Sequence, residues 1–439
     1  MRLTRAVALA GTLLLTALVA GCGAGSSGTN TLTYWATNEA NSIDVDKKIY
    51  TRIIKEFENK HGVDVKIQVV PWADLYDKVL RATTKGNVDV VNIGNTWSTS
   101  LRATGAFMPF EGETMAAIGG RDKFVRTAMK STGPPGKAPT AVPLYLLTDP
   151  VLFYNKKLFA EAGIEEPPNT WREFMTAARK LTRDTDGDGR TDQWGIAFPG
   201  TDYFTMVHRT YVLSQQMGGH FFTKSGEPDF AAPKNVRAAK RIVDLVQQGV
   251  APKTVAEYQG SDAIADFADG RAAMLLDPLV SAKPLKKRGM TSDDYGVALR
   301  PVPANIPSGG KPYRGYLSGT NISVFKNTDN KQLALKFVKF LTSKKQQVAL
   351  ADAYGDGYLP VTRKAWNSSG YGGEHLELAK RATRNTVAMP QVVEEADMET
   401  FVGNAVVRLV RQASTGERVT TADVRAALRK ANEKMKVTG

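Results

Sequence analysis

A chain of 439 residues, 42% hydrophobic and 23% charged, has the material for large cores and more than one lobe. Lys and Arg outnumber Asp and Glu by 58 to 44, a net +14, but the basic residues are scattered from Lys47 to Lys436 with no long basic run and no nucleic-acid motif, so no nucleic-acid partner is expected. A single cysteine excludes an intramolecular disulfide, and the four histidines, His61, His208, His220 and His375, are too scattered to suggest a metal cluster.

The first residues read as an address. Arg2 and Arg5 precede a mostly apolar run, Ala6 to Ala20, too short to span a bilayer as a stable anchor. The run ends in Val19-Ala20-Gly21-Cys22, which resembles a bacterial lipobox, the signal in which the cysteine is acylated and becomes the mature N-terminus. Residues 1–21 are therefore expected to be removed, leaving 418 residues with 56 basic side chains against 44 acidic ones, a net +12. Residues 22–30, rich in Gly and Ser, read as a flexible tether between a lipid anchor at Cys22 and the folded body.

After the tether, Leu32 to Trp35 predicts a short strand, with Asn38, Glu39 and Asn41 in the loop beyond it. Ile49, Ile53 and Phe57 recur every fourth residue, the stripe of an amphipathic helix that Gly62 ends. Val63, Val65, Ile67 and Val69 alternate with polar residues, a half-buried strand running to Pro71-Trp72. Leu75 and Val79 continue as a helix, and Val88, Val90 and Val91 open a buried strand with the β-branched bias of such elements. These hundred residues read β-α-β-α-β-α, which predicts a largely parallel sheet covered by helices. Asn92, Gly94, Asn95 and Thr96 suit the loop that follows, and Trp97 and Leu101 begin a short helix ended by Gly105. Open α/β sheets bind ligands beyond the carboxyl ends of their strands. Asn95, Thr96 and Trp97 fall there, and hydrogen-bonding groups beside an indole face suit a sugar.

Further on, two apolar runs flank Asp149-Pro150 between Ala141 and Tyr154, and Asn155-Lys156-Lys157-Leu158-Phe159 opens a helix. Thr170 and Glu173 have the spacing of a capping box, with Phe174, Ala177, Ala178 and Leu181 on one face. Pro233 starts another helix through Val236, Ala239, Val243 and Val246; Ala334, Phe337, Val338 and Leu341 mark a third, and Val424 to Met435 a terminal one. Trp35, Trp171 and Trp194 read as packing residues, whereas Trp72 and Trp97 are loop-borne and read as ligand contacts.

The order of several motifs resembles a known family, the extracellular solute-binding proteins of ABC importers, and within it the maltose-binding-protein-like sugar binders. The resemblance rests on Asp89-Val90-Val91 to Gly105-Ala106-Phe107, on Leu152-Phe153-Tyr154-Asn155-Lys156-Lys157-Leu158-Phe159 to Ala162-Gly163, and on Pro168-Asn169-Thr170-Trp171. It continues with Asp266-Phe267-Ala268-Asp269-Gly270-Arg271-Ala272-Ala273-Met274 and with Ala334 to Leu341, and covers nearly the whole mature chain. It implies a two-lobed α/β fold of the type II periplasmic-binding-protein class, with a sugar held in the cleft between the lobes. The first lobe would use residues 30–141 plus 315–357, the second 142–314 plus 358–439. Ligand contacts would come from Asn38, Asn41, Trp72, Asn95, Thr96 and Trp97 in the first lobe. Asp202-Tyr203-Phe204 resembles the aromatic stacking segment of the maltose binders, which nominates Tyr203 and Phe204; Tyr313 and Tyr316 lie near a proposed crossing. Asp277-Pro278-Leu279 falls where many relatives carry a Gly and a tryptophan, and Thr148-Asp149-Pro150 where an Asp-Thr-Arg is frequent. Asp277 and Asp149 are thus candidates at positions that depart from the family pattern, and the ligand need not be a maltodextrin. The partners implied are a carbohydrate and the membrane permease, for a monomer anchored on the outer face of the cytoplasmic membrane.

A second chemistry sits in residues 184–192. Asp184, Asp186 and Asp188 at spacing two, then Gly189, with the Arg190 carbonyl and Asp192 beyond, match the order of a calcium loop, although its twelfth position is Gly195 and not a glutamate. No cofactor is required; a structural calcium is the metal this loop would hold, the other reading being an acidic surface turn. The sequence carries no Gly-x-Ser-x-Gly elbow, and an enzyme is not expected. Paired carboxylates leave a secreted carbohydrate-active enzyme as the alternative, with a binder of a non-sugar polar solute such as a glycerophosphodiester as another.

Overall fold

The computed structural model describes residues 30–438 apart from 41, 150, 369, 370, 372 and 374; the predicted leader, Cys22, most of the tether and Asn41 lie outside the described residues. The strands, in chain order, are β1 (Thr31–Thr37), β2 (Asp64–Val70), β3 (Val90–Gly94), β4 (Ala141–Leu147), β5 (Val151–Asn155), β6 (Met274–Asp277), β7 (Tyr295–Leu299), β8 (Gly315–Tyr316), β9 (Ser318–Val324), β10 (Tyr358–Leu359) and β11 (Thr386–Val387).

The first lobe is built on a six-stranded sheet of order β10-β4-β9-β3-β1-β2. Its β2-β1-β3 part is parallel, as the βαβ pattern predicts. The parallel run stops at β9, which is antiparallel to both β3 and β4 because the chain enters it on returning from the second lobe. The sheet also takes in β4 to Leu147 and, through β10, Tyr358–Leu359. It therefore runs past the lobe limits drawn at 141 and 357 from motif positions, since an apolar strand continues until its pairing ends.

The helix Ile43–His61 packs Ile53 and Phe57 inward and ends at Gly62 in the left-handed region, φ 64°, where glycine carries no Cβ penalty. Asn92 belongs to β3 and not to a loop: its side chain is buried and accepts a hydrogen bond from the Tyr34 hydroxyl at 2.9 Å. Trp72 likewise leaves the loop, opening the helix Trp72–Lys85 directly after Pro71.

The second lobe centres on the antiparallel sheet β6-β5-β7, extended beside β6 by parallel bridges from Trp194 and Ala197 to Ala272 and Leu275. The expected capping box forms: Glu173 N–H donates to Thr170 Oγ1 at 3.3 Å and Thr170 N–H to Glu173 Oε2 at 3.1 Å, starting the helix Trp171–Leu181. Helices Tyr203–Gln216, Pro233–Gln247, Glu395–Ser414 and Thr421–Thr438 pack into one apolar core with it. Among the described residues no helix is long and apolar enough to cross a membrane.

Candidate functional site

The strand ends of the two lobes face each other across a cleft of about 470 Å³, a size suited to a small ligand. Trp72, Asn95, Thr96 and Trp97 line it from the first lobe, Asp149, Asp202, Phe204, His208 and Arg209 from the second, and Tyr316 and Ser318 from the crossing between them.

Each wall is held by its local chemistry. Trp97 follows Gly94, whose Cβ, if present, would sit 2.9 Å from the indole; only glycine lets the ring lie against its own backbone. The ring is 5% exposed, with Trp72 and Tyr76 edge-on at 5.5 and 5.1 Å. Trp97 is thus more deeply packed than a loop-borne platform, while Trp72 is half-buried. Asn38 does not line the cleft; its Oδ1 accepts from the Trp72 N–H at 2.7 Å and so fixes the start of that helix. Asn95 donates from Nδ2 to the Leu317 carbonyl at 2.7 Å, tying the loop after β3 to the crossing segment.

The opposite wall carries the charge. Tyr316 N–H donates to the Asp149 carboxylate, and burial pushes that carboxyl up to about 7 against the opposing pull of Arg300, His208 and Arg209. The approach is close: a Cβ on Gly315 would come 2.2 Å from the Asp149 carbonyl. His208 Nε2 lies 2.6 Å from Glu399 Oε1, and its ring lies 4.0 Å from that of Tyr316, tilted by 31°. Glu399 and Glu395 are one turn apart on a buried helix face, where burial and then the neighbouring Glu399 charge push the Glu395 carboxyl upward. Arg209, also buried, donates from Nη2 to the Leu276 carbonyl.

Seven of the predicted residues, Trp72, Asn95, Thr96, Trp97, Asp149, Phe204 and Tyr316, therefore meet in one cleft. Tyr203, Asp277 and Tyr313 do not line it. Tyr203 stacks on Phe204 at 4.2 Å, and the Tyr313 carbonyl accepts from Gln216 Nε2 at 2.6 Å. Asp277 accepts from Ser281 Oγ at 2.5 Å behind the cleft, and burial pushes it up to about 6. Sequence reasoning passed over His208, Arg209, Glu395 and Glu399. A signal was present: His208 lies four residues after Phe204, on the same side of the helix Tyr203–Gln216.

The acidic loop is exposed, and the carboxylates of Asp184, Asp186 and Asp188 can bring one oxygen each within 4.8 Å of one another. Asp192 turns away to accept from Thr185 N–H and Oγ1. Asp184 already accepts from the Gly187 and Gly189 N–H groups at 2.7 and 2.8 Å. Three carboxylates fit a hard cation in their chemistry; Asp192 as placed does not join them.

Two α/β lobes with a polar-aromatic cleft at their facing strand ends define a solute-binding protein of the two-lobed type II class. The model of the bacterial extracellular solute-binding protein family matches residues 40–348, and the chain belongs to that family. Its relatives include a binding protein of Brucella abortus (strain 2308), 27% identical over 318 residues, which cover 72% of this chain and 73% of that one. The diacetylchitobiose binding protein DasA of Streptomyces coelicolor is 26% identical over 414 residues, 91% of this chain and 90% of its own. In fold, the sugar-binding protein MalE from Xanthomonas citri superimposes with a TM-score of 0.77 at 22% identity, covering 93% of this chain and 98% of that one.

Proposed function

We propose that this chain captures a carbohydrate, of one to several sugar units, and delivers it to the permease of an ABC transporter without altering it chemically. The observation that carries the reading is the cleft itself. Indoles on one wall face a carboxylate, a guanidinium and an imidazole on the other, so that C–H faces and hydroxyls of one ligand find partners together. The diacetylchitobiose named for the Streptomyces relative supports the same ligand class. A ring stack contributes roughly 0.5–1.5 kcal/mol beyond burial and a net hydrogen bond a similar amount. A few of each reach about −8 kcal/mol after ordering costs, a micromolar dissociation constant.

The family supports an extracellular place of work. Acylation at Cys22 would hold the protein on the outer face of the cytoplasmic membrane, and a structural calcium at residues 184–188 would stiffen the second lobe; both rest on sequence pattern and carboxylate chemistry. Calorimetry against a panel of mono- and oligosaccharides and polyols, with chromatography of the recovered ligand, tests the central claim. Micromolar binding of an unchanged sugar is expected. Binding confined to non-sugar solutes would overturn the ligand class, and a hydrolysis product would overturn the binder.

A further inference from the structure

We infer that the second lobe holds a second ligand site, separate from the cleft and built for a small organic anion with an apolar body. A cavity of about 340 Å³ opens between the helices Trp171–Leu181 and Pro233–Gln247. Its walls are apolar, from Trp171, Met175, Phe198, Leu213, Ile242 and Leu245. Arg300 and Arg209 also line it, 1% and 6% exposed.

The two guanidiniums are under-satisfied. Nε and Nη1 of Arg300 and Nε of Arg209 have no hydrogen-bond partner, and among the described residues neither side chain forms an ion pair. Asp149 acts on both, and Asp277 and Asp202 on Arg209, from beyond contact distance. Burial pushes Arg300 down to about 10, so it remains a cation at neutral pH. A buried cation with idle donors is costly, and an anionic acceptor is the group that relieves that cost with charge-assisted hydrogen bonds.

The rim has the same sign. Arg172, Arg179 and Arg241 surround the mouth, and the acid in the lining, Asp244, is engaged by Lys240. Every cationic donor therefore favours an acceptor, while the walls offer a sugar few partners for its hydroxyls. A carboxylate or sulfonate head on an aliphatic or aromatic body matches both halves of the cavity. Arg209 also lines the sugar cleft, and Arg300 acts on Asp149 there, whereas exposed Thr176 lines only this cavity of the two and so tests it alone.

The experiment is a fluorescence titration of the folded protein with 8-anilinonaphthalene-1-sulfonate, competed by decanoate and, separately, by decanol. Decanoate should displace the probe at concentrations at least tenfold lower than decanol. Thr176→Trp, on an exposed position at the mouth, should weaken probe and decanoate binding tenfold or more while leaving the melting temperature and sugar affinity unchanged. Arg300→Met should give a similar loss, and if that variant does not fold, the Thr176 variant decides. Absence of probe binding, equal displacement by decanol, or unchanged affinity in Thr176→Trp would each overturn the site.

Discussion

Replacing Trp97 by alanine separates two jobs that the same indole performs. The side chain is 5% exposed and belongs to a packed cluster with Leu75, Val79, Val91 and Leu101, besides the edge-on rings of Trp72 and Tyr76. Removing a buried tryptophan costs about 3–5 kcal/mol, the residual void included. The two ring pairs account for roughly 1–3 kcal/mol of that figure. Over most of the usual range of about 5–15 kcal/mol of stability such a variant stays folded at 25 °C, and a cooperative unit of this size melts about 3–6 °C lower. Affinity for the sugar should also fall about tenfold or more if the exposed rim of the ring meets it. Trp72→Ala supplies the comparison: its ring lines the cleft but is only half-buried, so affinity should fall at a smaller cost in stability. Scanning calorimetry and isothermal titration on the same preparations read both effects. A Trp97→Ala protein melting within about 2 °C of wild type would refute the packing argument. Unchanged affinity in that variant would remove the indole from the site.

The Asp149 carboxyl, pushed up to about 7 from an ordinary 3.8, makes two pH statements. Its contribution to folding is full below its unfolded value and is lost as pH rises to about 7, the sign for a raised carboxyl. Ligand hydroxyls prefer the ionised form, so affinity should rise several-fold between pH 6 and 8, and Asp149→Asn should flatten the profile measured by calorimetry. Chelation should lower the melting temperature if calcium bridges Asp184, Asp186 and Asp188, and Asp184→Ala with Asp186→Ala should abolish that response; a curve unmoved by chelator leaves the loop a surface turn. Cys22→Ser should release the protein from membranes into the medium, and retention of the variant on membranes would refute acylation there.

What could be read from the sequence follows from how local the signals are. The capping box at Thr170 and Glu173, the stop at Gly62 and the alternation in β2 are settled within a few residues, and each appears where the pattern put it. The antiparallel β9 was not legible, because its direction depends on where the chain returns from the other lobe. The site divides in the same way. Trp72, Asn95, Thr96 and Trp97 lie close to the ends of strands whose type the sequence shows. His208, Arg209, Glu395 and Glu399 are polar residues inside buried helices, and their meaning comes only from facing one another across 191 residues of chain in the case of His208 and Glu399. Asn38 shows the converse: a polar loop residue whose type suits a ligand, spent instead on the Trp72 backbone.

Those helix-borne charges bear on how binding becomes a signal. His208 lines the cleft and pairs with Glu399 on the helix Glu395–Ser414, which packs against residues 95–103 of the opposite lobe, and Thr99 of that segment donates to Gln391 Oε1 at 3.2 Å. The helix Glu395–Ser414 thus borders the cleft through its His208 partner and meets the first lobe at residues 95–103. A ligand can shift the lobes only by its differential affinity for their two arrangements. On the function proposed above, a sugar bridging the indoles of one wall and Asp149 and Arg209 of the other would make its full set of contacts only with the walls close together, the arrangement in which the helix Glu395–Ser414 packs against residues 95–103. Moving an equilibrium from 1:99 to 99:1 requires about 5.5 kcal/mol of such difference. Two or three wall-bridging hydrogen bonds, those to ionised groups at about 1.5–3 kcal/mol each, supply it. One helix, Glu395–Ser414, thus carries both the partner of His208 at the cleft and the packing against the first lobe, which is where a ligand's polar contacts would couple capture to closure.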